Sequence, residues 1–287
     1  MRGLMAASAL MIAAMPGTAL ADTRATYRDG QGGTMVIEAA DNGASRIQMS
    51  APPEAAALGI TGPVVSFTTS DGAYFVVIPT ATRVVTVNVA DVVAVANEMT
   101  ERYLPADLPL PPELAQFQMR RAGEETVAGR QGIRYVFDFP KPPAAANQGT
   151  APPPPPMDFV VSNDEDLRPL ARAWVPAFNS FRDLRLIQRF GMMPIFQQMD
   201  AVFRESAVLR AGQEFTLTKV EQITADPARY QVPGTPVGRE EIRTQVQAWI
   251  GTMTAPQSAP TTTPQPATGG EARAPKPIAP PPPSPRK

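Results

Sequence analysis

Along the first third of the chain, apolar and polar side chains alternate in short runs separated by turn residues, the period of strands half-buried in an antiparallel sheet. Runs at 34–39 and 45–50 flank Asp41-Asn42-Gly43, and runs at 64–69 and 73–78 flank Ser70-Asp71-Gly72. Gly accepts positive φ freely and Asn or Asp tolerates it, so both tripeptides read as hairpin turns. Another strand, 83–89, follows the break at Pro79. Met35, Ile37 and Ala39 share one face of the run at 34–39, and Ile47 with Met49 stand opposite Arg46 and Gln48. These are consecutive antiparallel strands.

Helical spacing then interrupts the alternation. The Ala/Val-rich stretch 91–101 reads as a helix starting at Asp91 or as a buried strand, and 111–121 as a short helix with Pro at its start, where the missing donor costs nothing. Two further helices, 166–190 and 195–204, are separated by Gly191-Met192-Met193-Pro194. Pro169 fits only in a first turn, and Pro176 is expected to kink or break the longer helix, leaving 177–190 as its firm part. Ile195, Met199, Val202 and Phe203 recur at the spacing of one buried face. Strand runs at 133–139 and 157–161 surround a proline-rich loop at about 140–156, 214–224 is a late strand, and 239–250 closes the domain as a helix.

Composition sets the boundaries. Thirty-four residues are Pro, and many fall in that loop or after residue 253. Pro lacks the backbone donor and favours polyproline II, so 254–287 is expected to be a disordered tail able to extend about 100 Å. Met1-Arg2, an apolar run at 4–14 and Ala19-Leu20-Ala21 form a signal peptide, 1–21, with cleavage after Ala21. The run is shorter than the roughly 20 residues a membrane span needs, and the chain has no Cys to carry a lipid. The expected location is the periplasm, with secretion as the alternative, and the mature chain is one α+β domain, 22–253, without a transmembrane anchor.

Chemistry is restricted further. The chain has no His and no Cys, which excludes Ser-His-Asp and Cys-His nucleophiles, disulfides and conventional zinc sites. A formal charge of -1 gives no reason to expect nucleic acid. Lys219 is the one lysine in a strand and lacks a supporting motif, and Gly30-Gln31-Gly32-Gly33 reads as a turn before a strand. The acidic group Asp164, Glu165 and Asp166 after Asn163 sits where a helix begins, so it reads as a cap rather than a cation site. No catalytic residue, cofactor or metal is expected.

The segment Gly123-Glu124-Glu125-Thr126-Val127-Ala128-Gly129-Arg130-Gln131-Gly132-Ile133-Arg134-Tyr135, followed late in the chain by Pro227-Ala228-Arg229-Tyr230-Gln231-Val232-Pro233, resembles periplasmic proteins of the DUF4412 type in the LolA/LolB-like half-barrel superfamily. The resemblance covers roughly 25–237, and the proline-rich insertions depart from it. It implies a curved antiparallel sheet around helices, with an apolar cavity that holds acyl chains in the best-known members. Met35, Ile37, Ile47, Met49, Phe75, Val77, Phe137 and Phe139 are the strand positions suited to the hollow side of such a sheet, where they either line a lipid-binding pocket or simply pack against helices. Arg182, Arg185 and Arg189, at i, i+3 and i+7, offer a basic helix face for an anionic surface or an acidic partner, or a merely solvated face. Two functions follow: a non-catalytic carrier of an apolar, lipid-like ligand, or a structural adaptor that binds other envelope proteins through its domain and proline-rich tail. N-terminal sequencing of the exported protein is expected to begin at Asp22; a start at Met1 would remove the leader.

Overall fold

The computed structural model describes residues 21–105, 118–138 and 157–254. Residues 1–20 of the expected leader, the proline-rich loop and the tail beyond Thr254 lie outside the described residues. The chain divides into two units, the first ending at Val246 and the second beginning at Gln247. Of the second unit, 247–254 are helical.

The first unit is built on one antiparallel sheet of eleven strands in the order β6-β5-β4-β3-β2-β1-β11-β10-β9-β8-β7. The first meander comprises β1 (Ala21–Arg28), β2 (Thr34–Ala39), β3 (Ser45–Met49), β4 (Val64–Thr68), β5 (Tyr74–Pro79) and β6 (Val84–Asn88). The second comprises β7 (Gln118–Val127), β8 (Arg130–Asp138), β9 (Asp158–Ser162), β10 (Ala207–Ala211) and β11 (Phe215–Thr224). They meet at a central seam where β1 pairs with β11 from Ala21↔Thr224 to Arg28↔Thr216. The expected strands at 34–39, 45–50, 64–69, 73–78 and 83–89 are present within a residue or so. β1, β7 and β10 were not anticipated, and the expected helix at 111–121 has strand at its 118–121 end, its remainder, 111–117, lying outside the described residues.

Among the described residues five helices occur, in chain order α1 (Val89–Tyr103), α2 (Arg168–Arg182), α3 (Arg185–Arg189), α4 (Met193–Phe203) and α5 (Arg239–Thr254). The stretch read as helix or strand is therefore helix. It starts earlier than Asp91 because Asn88 Oδ1 accepts the Ala90 N–H and caps it. α2 continues through Pro176, contrary to expectation. Leu170 and Ala173 before the proline are buried and Phe178 after it packs on the second apolar cluster, so both flanking turns are fixed by tertiary contacts. The break comes instead at Asp183-Leu184. There the Asn97 side chain of α1 donates to Asp183 O at 3.0 Å and accepts the Arg185 N–H at 2.7 Å, satisfying main-chain groups that a continuous helix would have used.

The core has two parts. Tyr27, Met35, Ile37 and Ile47 pack with Leu167, Leu170 and Ala173 at the start of α2 and with Leu209 and Leu217 of the second meander. Phe137 and Val161 pack separately with Ile195 and Phe203 of α4. The opposite face of the first meander is crossed by a strap between β11 and α5. Tyr230 donates to the buried Asp22 carboxylate at 2.7 Å, the Thr86 hydroxyl donates to Pro233 O at 2.6 Å, and the Val237 N–H donates to Thr86 O at 2.8 Å. The carboxyl group beside Tyr230 and its burial push the Tyr230 phenol well above its ordinary range, burial being the larger cause. On the same face a cross-strand ladder joins Arg24, Glu38 and Arg46, with Glu38 almost wholly buried between the two guanidiniums.

The second meander is tightly curled. Adjacent strands lie about 4.8 Å apart, so β11 and β7, four steps apart, would be separated by about 19 Å in a flat sheet. Yet the two strands approach within 8 Å, Cα to Cα, and Arg210 of β10 reaches Glu125 of β7 at 3.0 Å. Two features allow the curl. Ala128 and Gly129, with φ of 50° and 77°, form the two-residue β7–β8 turn whose positive φ values match strand twist. Gly132 lets β8 approach its neighbours: a Cβ there would lie 2.7 Å from Val160 Cγ1, 2.9 Å from Val161 O and 3.0 Å from Leu209 Cδ1. Gly132→Ala is therefore expected to cost about 1–3 kcal/mol by overpacking against a backbone oxygen that cannot move aside, read as a lower urea midpoint at unchanged slope. Wild-type stability in this variant would show that the close approach does not fix the curl.

Candidate functional site

The β8–β9 register sorts side chains onto two faces. Arg134 stands opposite Val160 and Val136 opposite Asp158, while Ile133 stands opposite Val161 and Tyr135 opposite Phe159. The second set, with Phe137, forms the surface covered by α4, where Phe137 and Phe159 meet edge to face at 5.0 Å and Phe159 meets Phe203 at 5.1 Å. The first set faces the other way and carries charge.

An irregularity in the β9–β10 register between Val208 and Arg210 places Arg210 opposite Val160, and so on the Asp158 face. Arg210 Nη1 donates to Asp158 Oδ1 at 2.8 Å and Nη2 to Oδ2 at 3.1 Å, while Nε and Nη2 each donate to Glu125 at 3.0 Å. Arg134 Nε donates to Asp158 Oδ2 at 2.7 Å. Two guanidiniums and two carboxylates drawn from four strands thus close one network, with Asp158 and Arg210 largely buried. The Arg210 hydrogen bonds hold the Asp158 carboxyl below the usual carboxylate range against the opposing effect of burial, and Arg210 is correspondingly pushed up.

This network walls a cavity of about 620 Å³, to which Met157, Ala211 and Glu214 also contribute. That volume falls within the range of small-ligand pockets, roughly 300–1,000 Å³. Asp158 and Arg210 are locked in their charged forms at neutral pH, so the arrangement offers fixed charge and hydrogen-bonding geometry rather than proton exchange. Arg134 points two further guanidinium nitrogens without a partner among the described residues, which gives the cavity one unsatisfied set of donors.

The apolar positions singled out from sequence do not form one surface. Met35, Ile37, Ile47 and Met49 are together, Ile37 facing Ile47 and Met35 facing Met49, in the core under α2. Ile47 faces Ser66 and Ser66 faces Val76, so Phe75 and Val77 belong to the opposite face of the sheet. Phe137 lies in the separate cluster under α4. Phe139 lies outside the described residues.

The basic stripe is likewise redistributed. The break at Asp183 leaves Arg182 on α2 and puts Arg185 and Arg189 on α3. Arg182 contacts Asp183, Arg185 pairs with Glu101, and Arg189 Nη1 donates to the carbonyls of Thr100 at 2.9 Å and Leu104 at 2.5 Å, capping the end of α1. Arg185 and Arg189 thus tie α3 to α1, and the three cations do not form one open face. Asp164 and Asp166 make no side-chain cap at the following helical turn; Arg130 pairs with both, at 3.5 and 2.6 Å. Asp29 accepts the N–H groups of Gln31 and Gly33, making the glycine run a turn as expected. Lys219 is exposed and paired with Glu221.

None of the four network residues was singled out from sequence. The available signals were local: Arg210 interrupts the apolar run Ala207-Val208-Leu209-Arg210-Ala211, and Glu125 and Arg134 lie inside the segment that carries the family resemblance.

No family model matches this chain, and no curated protein matches it. Two solved structures do. The crystal structure of MucB is 16% identical over 75% of this chain and 58% of that one, with a TM-score of 0.26. The crystal structure of MucB in complex with MucA(peri) is 14% identical over 77% of this chain and 53% of that one, with a TM-score of 0.22. The chain thus spans somewhat more than half the length of each.

Asp158→Ala is expected to destabilise the protein by about 2 kcal/mol, because it leaves buried guanidinium donors short of an acceptor. Since the native Asp158 pKa is depressed, its contribution is complete above the unfolded carboxylate value of about 3.9 and is lost as pH falls through the lower native value. Urea midpoints followed from pH 7 to pH 3 are expected to fall less steeply for Asp158→Asn than for wild type; equal slopes would show that the network does not control the acid limb.

Proposed function

We propose that this chain is an exported, non-catalytic binding protein of the half-barrel type, and that it holds a polar segment of another envelope protein in the cavity bordered by Arg134, Asp158 and Arg210. The observation that carries this reading is the contrast between the two sides of the sheet. The apolar residues best suited to an acyl chain are used in packing, Met35, Ile37 and Ile47 being buried to within a few per cent under α2. The open volume lies where charged side chains are held rigidly. A greasy ligand would strip water from Asp158, Glu125 and both arginines without replacing their partners, which is unfavourable. A peptide carboxylate or main-chain carbonyl can satisfy Arg134 directly.

The absence of His and Cys from the sequence favours binding over turnover, since fixed Arg–carboxylate pairs supply neither a nucleophile nor a group titrating near neutrality. The adaptor reading also assigns the tail a role as a tether, which deletion of 254–287 addresses separately.

A photo-crosslinking residue at Met157, half-exposed at the cavity, provides the test in cells of the native host. A discrete protein adduct is expected, reduced at least several-fold by Arg134→Ala. Recovery of an acyl lipid as the adduct would replace the protein-binding reading with the carrier reading, and an adduct indifferent to Arg134 would remove the cavity from either.

A further inference from the structure

The two edges of the sheet are treated differently. At β6 the strap supplies the Val237 N–H to Thr86 O, closing that side. At β7, Gln198 of α4 accepts the Met119 N–H at 3.1 Å, and beyond that point residues 120–124 are exposed to solvent. A long exposed edge strand is a template for pairing with another chain.

The sequence of this edge is its own complement. It reads Arg120-Arg121-Ala122-Gly123-Glu124-Glu125, two cations and two anions arranged antisymmetrically about the Ala122-Gly123 peptide. We propose that β7 is a self-association strand: two copies of this chain pair β7 to β7, antiparallel, about a two-fold axis through that peptide. Arg121 of each copy then stands opposite Glu124 of the other, and Arg120 opposite Glu125. The interface is isologous, so every favourable pair occurs twice.

The backbone irregularity within β7 makes this register possible. Residues directly opposite across an antiparallel pair share a face. In an unbroken strand Arg121 and Glu124, three positions apart, would lie on opposite faces, and the proposed pairing would set each cation against the wrong side of its partner. The register shift between Arg121 and Gly123 changes that parity. Arg121 stands opposite Tyr135 and Glu124 opposite Ile133, which share one face of β8; Arg120 stands opposite Val136 and Glu125 opposite Gly132, which share the other. A bulge ordinarily discourages edge pairing. Here the bulges of the two copies face each other at the axis and leave both flanking registers matched.

Little has to be given up to bring Arg121 opposite Glu124. The Arg121–Glu124 pair within one chain is 3.4 Å apart with both side chains more than half exposed, so it contributes little. Glu125 is held in place by Arg210, which presents it ready-oriented to a second guanidinium. A dimer of this kind would continue the sheet from one copy into the next and bring the two cavities to either side of the axis, because Glu125 borders both.

Sedimentation velocity on the full mature chain tests the proposal through a charge swap. The wild type is expected to dimerise with rising concentration, more weakly at high salt. Arg121→Glu and Glu124→Arg are each expected to weaken dimerisation about tenfold or more, because like charges then face each other twice. An equimolar mixture of the two variants is expected to regain association as a heterodimer, and the double variant R121E/E124R to regain it alone. Both residues are exposed, and unchanged urea midpoints separate loss of pairing from loss of fold. A wild type that stays monomeric at every concentration, including one that pairs only with a different extended protein, overturns the proposal. So does a single variant that dimerises as well as wild type, or a mixture that fails to recover. Arg134→Ala should leave association intact, so failure here is distinguishable from failure of the cavity as a binding site.

Discussion

The tight curl of the second meander depends on a steric permission and an electrostatic tie acting at the same place. Gly132 removes the side chain that would hold β8 away from β9 and β10. Arg210 then spans the interior to reach Asp158 and Glu125 together. Neither suffices alone. Without the glycine β8 would be held off its neighbours, and without Arg210 a curled surface lined by Glu125 and Asp158 would bring two carboxylates near each other with only Arg134, bonded to Asp158, to offset them. Taking charges out of water is costly unless each is paired with good geometry. The two-pronged fork of Arg210, one edge on each carboxylate, meets that requirement, and it simultaneously fixes the distance between β7 and β10. The cavity is a consequence of the curl, and its charged wall is a consequence of how the curl is held.

The elements most legible in the sequence were those specified by local chemistry. Asp41-Asn42-Gly43 and Ser70-Asp71-Gly72 each carry enough information to place a turn, and β2 through β5 therefore fell close to their expected bounds. β7 was obscured because Gln118-Met119-Arg120-Arg121 is as compatible with a helix as with an edge strand; it is mostly exposed, so no apolar alternation marks it. β1 carries alternating polar and small residues, Asp22-Thr23-Arg24-Ala25-Thr26, whose burial on both sides arises only when β11 and the strap arrive. Periodicity also could not show that Phe75 and Val77 face away from Ile37 and Ile47. Both pairs are apolar and at even spacing within their strands; only the chain of register from β2 to β5 separates them.

The arginines show the same limit from another direction. Only four of the 26 cations are Lys, and a helical spacing of Arg182, Arg185 and Arg189 looks like a surface for an external anion. The helix ends between the first and second of them, and the reason is a side chain on another helix, Asn97, which takes the main-chain groups at Asp183 and Arg185. Arg189 then finds the last carbonyls of α1, where the helix dipole favours a cation. Similar use recurs at Arg24, which reaches Glu221 of β11 as well as Glu38, and at Arg130, which reaches Asp164 and Asp166. A planar, permanently charged fork with five donors suits this work better than an ammonium does. In this chain the arginines serve first as internal fasteners, and a cationic residue becomes a candidate for an external ligand only where, as at Arg134, donors remain after its internal partners are satisfied.

The central seam imposes a constraint on how the molecule assembles. β1 and β11 are neighbours in the middle of the sheet, though almost the whole domain separates them in sequence. Each meander can form its own local hairpins, but neither can bury both faces alone: Asp22 acquires its partners Tyr230 and Arg229 from the strap beyond β11, while Glu38, already paired with Arg24 and Arg46 of its own meander, gains Arg229 as a further cation. Long-range pairing requires loop closure before any contact rewards it, which slows folding relative to local structure. The fold is thus completed only when residues at the far end of the domain are present. A chain truncated before β11 would expose the β1 edge and lack the strap residues that partner Asp22, so the same seam that makes eleven strands into one sheet also penalises every partly synthesised form of it.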